Sequence, residues 1–353
     1  MTHPGSILNQ KLKEARMHRS ELAKRTGVTE KHICTVVNGQ KGITAAFAQK
    51  LGYVFEDASF WLQLQAEYDE EQLRIKEESC IAPQEIAVLE PLQEMIAHFV
   101  EHGELKNECS DAAMVMQLRR LLRVSNLTAI PEISFYADYR ARLASSERAD
   151  PYVLFTWQRM CEIETPLDEI TAQFDNSLPY MKRHEIRAIM FSDPNDIYLE
   201  LKKLFAECGI AFRMVPAFHG APVRAFIKVT NDQKLIFCMT VPHQRADTFW
   251  HTLFHELYHM IHLHLGHLFY VDFDFPQGNN DATADEFARE MLISTNRYRD
   301  FLQSTRRRID WQDVERLAKS ANVLPCIALG RLQNDGVLDW SDFSEQVVKY
   351  SWA

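Results

Sequence analysis

The sequence has no cysteine pair at CxxC spacing, no apolar run as long as a membrane span, and no charged–apolar–small segment at its start. Each absence excludes a class. Cys34, Cys80, Cys109, Cys161, Cys208, Cys238 and Cys326 are scattered, which argues against a cysteine zinc site or a disulfide framework and for a reducing compartment. The missing apolar run argues against a membrane span, and the missing leader against export. The expectation is a cytoplasmic chain with no membrane partner. Its 353 residues suggest two or three domains, and 46% hydrophobic with 25% charged residues suits globular folding rather than disorder.

The net charge of −10 is unevenly spread. Residues 1–50 hold nine basic side chains against Glu14, Glu21 and Glu30, about +6, so the remainder carries about −16. A small basic head on an acidic body suggests a polyanion-binding module. A solvated basic face with no partner is the alternative that charge alone leaves open.

The head carries more than charge. Ile7, Leu8, Leu12 and Ala15 recur at helical spacing. Ser20 is placed to cap a second helix ended by Gly27, and Thr29 a third ended by Gly39. The short turn between them reads as a helix-turn-helix with Leu22, Ala23, Val28, Ile33 and Val36 as its core. Lys31, His32 and Thr35 would face outward from the third helix, the one that enters the major groove, with Arg19 and Lys41 set for phosphates. Helices at Thr44–Leu51 and Ala58–Glu71 would complete five. HPG at the start, ELAKRTGV, NGQKGIT and WLQLQAEYD together resemble the repressor-type helix-turn-helix of HigA antitoxins, over about the first seventy residues. That resemblance implies operator DNA as a partner, with a toxin as a further candidate.

From Ala82 to Leu127 a helical stripe is expected through Ile86, Leu89, Leu92, Ile96 and Val100, broken at Pro131. A further helical stretch carries Phe135, Tyr136 and Tyr139, then Leu154, Trp157 and Met160, aromatics that read as core packing. After Ile210 the period changes, and AFRMVP, APVRAFIKV and KLIFCMTV read as three short strands.

Next comes HELYH inside the apolar stretch Thr248–His264. His255 and His259 are four apart, so one helix face presents both imidazoles to a single zinc ion. Glu256 beside them could take a proton from a water activated by the metal. Two histidines on a core-edge helix is the bland alternative. The stretch Asn279–Leu292 then offers Asp281, Asp285 and Glu286, of which Asp281 and Asp285 are again four apart, suiting a third ligand and a carboxylate behind a bound imidazole. Three closing helices are expected at Trp311–Ser320, Cys326–Asn334 and Asp342–Tyr350.

The blocks GIAFRMVPAFHGAPVRAFIKV, ADTFWHTLFHELYH, DATADEFAREMLIS and ALGRLQNDGVLDW, in that order, resemble the ImmA/IrrE metallopeptidases. The resemblance implies a zincin-like fold, zinc on His255, His259 and Asp281, and Glu256 as catalytic base. Three positions depart from the family: Tyr258 stands for a glycine, Asp281 for a glutamate, and Ser294 near a proline. His219, His243 or Tyr258 could stabilise a tetrahedral intermediate.

The fold expected is mainly α with a small β-sheet (α+β): a five-helix domain at 1–75, a helical middle at 76–177 and a zincin-like domain at 178–353. The function expected is a DNA-binding regulator, a homodimer, whose zinc endopeptidase cuts a repressor-type protein or itself. The rival is a repressor or antitoxin whose zincin-like domain senses or docks without turnover.

Overall fold

The computed structural model describes residues 2–107, 109–133, 149–240, 245–262, 269–273, 279–305 and 308–350, with backbone alone at 269, 270, 273 and 279–281. The chain is mainly helical with one four-stranded mixed sheet. It divides into two compact units, one of residues 1–87 with 108–118, the other of 88–107 with 119–353. Among the described residues no helix is long and apolar enough to cross a membrane.

The first unit opens with α1 (Pro4–Glu14), α2 (Arg19–Thr26), α3 (Glu30–Val37), α4 (Ala45–Leu51) and α5 (Ala58–Ser79). Leu8, Leu12, Leu22, Ile33, Val36, Phe47, Leu51 and Trp61 form its core. Gly27 ends α2 at φ 65°, a left-handed conformation that glycine adopts without strain. Thr29 caps α3 as expected, its side chain accepting from the His32 amide at 3.3 Å. Ser20 does not cap α2. The helix starts one residue earlier, so Ser20 lies inside it and His18 occupies the cap position without a side-chain bond. The charged segment after Glu71 continues α5 through Ser79, supported by Arg74 bridging Glu71 and Glu78.

A short α6 (Pro83–Ile86) leads to α7 (Gln93–Glu101) and α8 (Asp111–Leu122). The expected stripe is out of phase here. Leu92, Met95 and Phe99 are buried, while Ile86, Leu89, Ile96 and Val100 are half-buried. A 3₁₀ turn at Ala87–Leu89 interrupts the run, so one helical phase cannot span it. Helix α8 stops at Leu122, well before Pro131, with Arg123 at φ 57°. Phe135, Tyr136 and Tyr139 lie outside the described residues. Leu154, Trp157 and Met160 are core residues of α9 (Pro151–Glu164).

In the second unit α10 (Leu178–Met181), α11 (Arg183–Ile189) and α12 (Ile197–Glu207) precede the sheet. The three expected strands form as β1 (Ile210–Met214), β2 (Val223–Val229) and β3 (Leu235–Met239). A fourth, β4 (Phe269–Phe273), was not expected. The order is β1-β3-β2-β4, with β1 parallel to β3 and the other pairs antiparallel. Helix α13 (Ala246–Ile261) buries Phe249, Trp250, Leu253, Phe254, Leu257 and Met260 in the core beside the sheet. It packs extensively on α14 (Asn279–Leu292). Then come α15 (Thr295–Ser304), also unexpected, α16 (Trp311–Ala321) and α17 (Pro325–Asn334). The expected helix at Asp342–Tyr350 is replaced by a single 3₁₀ turn, Ser344–Gln346, preceded by Phe343 at φ 55°. Tyr350 is instead drawn into the core, where its hydroxyl accepts from Trp250 Nε1 at 2.9 Å.

Candidate functional site

Helix α13 places His255 and His259 on one face, with their Nε2 atoms 3.1 Å apart. Both imidazoles are buried, at 3% and 9% exposure. Two nitrogens bound at about 2.05 Å to a tetrahedral ion would stand about 3.3 Å apart, so this pair suits zinc with almost no movement. His255 Nδ1 lies 2.8 Å from Asp285 Oδ1 on α14. An ionised carboxylate can only accept, so Nδ1 carries the proton and Nε2 keeps its lone pair facing His259. Burial pushes the Asp285 carboxyl up, but the hydrogen bond from His255 and the charges of His251, His255 and Arg289 outweigh it, and its pKa falls below the ordinary value.

Glu256 is fully buried next to His255. One ligand atom from each of His255, Glu256 and Asp272 falls within 4.8 Å of the others, the arrangement a bound cation needs. Asp272 is a candidate site residue that sequence alone did not single out. Its signal is a carboxylate in the middle of the apolar strand FYVDF, where burial would be costly without a partner or ion. The side chain of Asp281 lies outside the description. Its backbone is on α14, one turn before Asp285.

The Tyr258 ring is tilted over His262 at 4.1 Å between centroids and packs on Phe287 at 5.7 Å, with its edge toward His259. His262 Nδ1 bonds the Tyr258 carbonyl. His219 is exposed in the turn before β2. His243 lies outside the described residues.

His251 extends the α13 face by one more turn, completing a repeat of histidines every fourth residue that was visible in HTLFHELYH. Burial pushes its pKa down to about 4, so it is neutral at physiological pH. It lines a cavity of about 450 Å³ that also reaches Asp285.

In the first unit, Lys31 on α3 and Lys41 after it are exposed, and neither enters an ion pair among the described residues. His32 is half-buried with its ring edge on Phe47, 5.3 Å between centroids. Thr35 Oγ1 donates to the His32 carbonyl at 2.7 Å. Arg19 is half-buried, with Nη1 3.5 Å from Cys34 Sγ, and so ties α2 to α3.

The chain is 38% identical over 73 residues to virulence-associated protein A' of Dichelobacter nodosus, a match covering 20% of this chain and 64% of that relative, less than two thirds of its length. It is 32% identical to an addiction module antidote protein of the HigA family from Coxiella burnetii, and 33% to Pseudomonas aeruginosa antitoxin HigA, solved with the higBA promoter. Each of these matches covers 23% of this chain and 96% of the other, with TM-scores of 0.21 and 0.22. The N-terminal region resembles HigA-family antitoxins. What links this HigA-like region to them is sequence identity over about a fifth of the chain, together with the capped helix-turn-helix described above. No family model matches the chain.

Proposed function

We propose that the protein is a cytoplasmic DNA-binding regulator that carries a zinc-dependent endopeptidase centre. The HigA-like region would bind operator DNA, most simply as a homodimer on a two-fold site. The exposed Lys31 and Lys41 and the DNA-bound HigA relative support this half. The remaining parts of the chain divide on this reading into a helical connector at 76–177 and a zincin-like domain at 178–353.

The observation that carries the second half is the 3.1 Å approach of the His255 and His259 Nε2 atoms, backed by Asp285. His255 and His259 would hold zinc, with Asp281 as third ligand and Asp272 close by. Bound zinc supplies an electrophile that acidifies water and polarises a peptide carbonyl. Glu256, in a buried and weakly screened position, would accept the proton from the attacking water and deliver it to the leaving amine. Asp285 fixes the His255 tautomer throughout. The substrate class is a protein of repressor type, or the chain itself.

Incubation of wild type and Glu256→Gln with zinc and candidate repressor proteins, read by intact mass, tests this. Cleavage in wild type alone, with one zinc in both, is expected. Zinc-independent cleavage, or an equal rate in Glu256→Gln, refutes the catalytic assignment. The ligand-sized cavity beside Asp285 favours a second reading, a HigA-like repressor or antitoxin whose C-terminal unit senses a small molecule without turnover. One bound zinc with no cleavage of any candidate supports that alternative, and co-purification with a toxin supports its antitoxin form.

A further inference from the structure

The cavity lined by His251 is enclosed by the first half of α13, the second half of α14, Arg224 of β2 and α17. Its 450 Å³ falls within the range of about 300–1,000 Å³ typical of small-molecule sites. It reaches Asp285, but neither His255 nor His259 lines it.

Its charges decide what it takes. Asp247 is bound by Arg245 through two bonds of 3.0 and 2.9 Å. Arg331 is bound to Asp335 at 2.7 Å, and Asp285 accepts from His255. Arg289 is half-buried and, among the described residues, its guanidinium makes no hydrogen bond or ion pair, although Asp285 feels its field. A half-buried guanidinium without a bonded partner is costly, and its fork of donors matches an oxyanion. Arg224 also lines the cavity, and its charge reaches His251 there, so a second cation lies close by. Phe249, Ile327 and Trp340 add apolar lining.

We propose that this cavity binds a small organic oxyanion, a carboxylate or phosphate monoester on a compact apolar body. The anion sits on Arg289 and Arg224 and the body against Phe249, Ile327 and Trp340. This site stands independently of zinc and of DNA. One consequence rests on the zinc reading. Because Asp285 belongs to the cavity wall and also orients His255, an occupant that draws on Arg289 changes the field at Asp285 and thereby the metal affinity, and zinc changes the occupant's affinity by the same factor.

The test is calorimetric titration of the full chain, with and without zinc, using benzoate, phenyl phosphate, inorganic phosphate and benzyl alcohol. Benzoate or phenyl phosphate is expected to bind one per chain with or without zinc, and the tighter of the two identifies the anion. Inorganic phosphate and benzyl alcohol, each lacking one half of the recognition, should bind at least tenfold more weakly. Arg289→Gln should lower the affinity at least tenfold. Trp340→Ala, at an exposed position whose ring also carries the Arg245 guanidinium at 5.3 Å, should lower it severalfold in a protein that still unfolds cooperatively. No binding of either organic anion, equal binding of benzyl alcohol, or wild-type affinity in a folded Arg289→Gln protein would overturn the proposal.

Discussion

His255 Nδ1 donates to Asp285 Oδ1 across 2.8 Å, and this bond leaves the His255 Nε2 lone pair aimed at His259. The same carboxylate therefore sets both the tautomer and the orientation of one proposed zinc ligand. Removing it in Asp285→Ala should leave α14 folded, since Asp285 is half-buried and alanine favours helix. Zinc affinity should fall by about 10- to 100-fold, as for other carboxylates behind a metal-bound histidine. Competition with a chromophoric chelator measures it. Unchanged affinity would mean that Asp285 serves the cavity alone.

Gly330 on α17 marks where this helix meets α13. A Cβ there would stand 2.4 Å from Asp247 Oδ2 and 2.9 Å from Asp247 Cβ. Asp247 cannot swing away freely because Arg245 holds both its oxygens. Gly330→Ala should therefore destabilise the second unit by about 1–3 kcal/mol, despite the better helix propensity of alanine. Chemical denaturation of the two proteins checks this, and a stabilised variant would mean that α17 can shift outward without cost.

The parts of this protein that were legible in sequence are those fixed by local chemistry. Gly27 and Thr29 bound α2 and α3 as the end signals say, because left-handed backbone and a capping hydroxyl are local requirements. His255 and His259 share a face because helix period guarantees it. The failures arise where tertiary contacts decide. Strand β4 is a short run whose pairing partner, β2, lies more than forty residues away. Tyr350 leaves the expected helix because Trp250 offers its hydroxyl a buried donor. Arg224 and Arg289 come from separate elements, so no spacing rule brings them to one cavity.

Lys31 and Lys41 should separate in their effects on DNA. Lys31 is on the exposed face of the second helix of the helix-turn-helix, the element that reads base edges. Lys41 follows that helix in the connection to α4, a placement suited to phosphate. Lys31→Ala should narrow the gap between operator and random DNA, at a cost of about 1–3 kcal/mol in specific binding. Lys41→Ala should weaken both equally and reduce the slope of log affinity against log salt by about one. Fluorescence anisotropy titrations at several salt concentrations distinguish them. Parallel losses with identical salt slopes in both variants would contradict the assigned roles.

Glu162 on α9 gives a pH dependence whose sign is fixed by its partners. It is bound by Arg159 at 2.5 Å and by Lys228 of β2, so it ties helix to sheet within the second unit. Burial pushes the Glu162 carboxyl up, but the hydrogen bonds and charges of Lys228 and Arg159 outweigh it, and its folded pKa lies below the ordinary 4.5. A carboxyl depressed on folding stabilises the protein fully above its unfolded pKa, and the contribution is lost as pH falls through the folded value. Glu162→Gln should therefore be less stable than wild type at pH 7 by about 1–2 kcal/mol, the scale of a charged hydrogen bond with partial exposure. The difference should shrink below pH 4.5 and vanish in stronger acid, where wild type has also lost the charge. Urea denaturation of both proteins from pH 7 downward follows the gap. A gap that stays constant with pH would assign the loss to packing rather than to the ionised carboxylate.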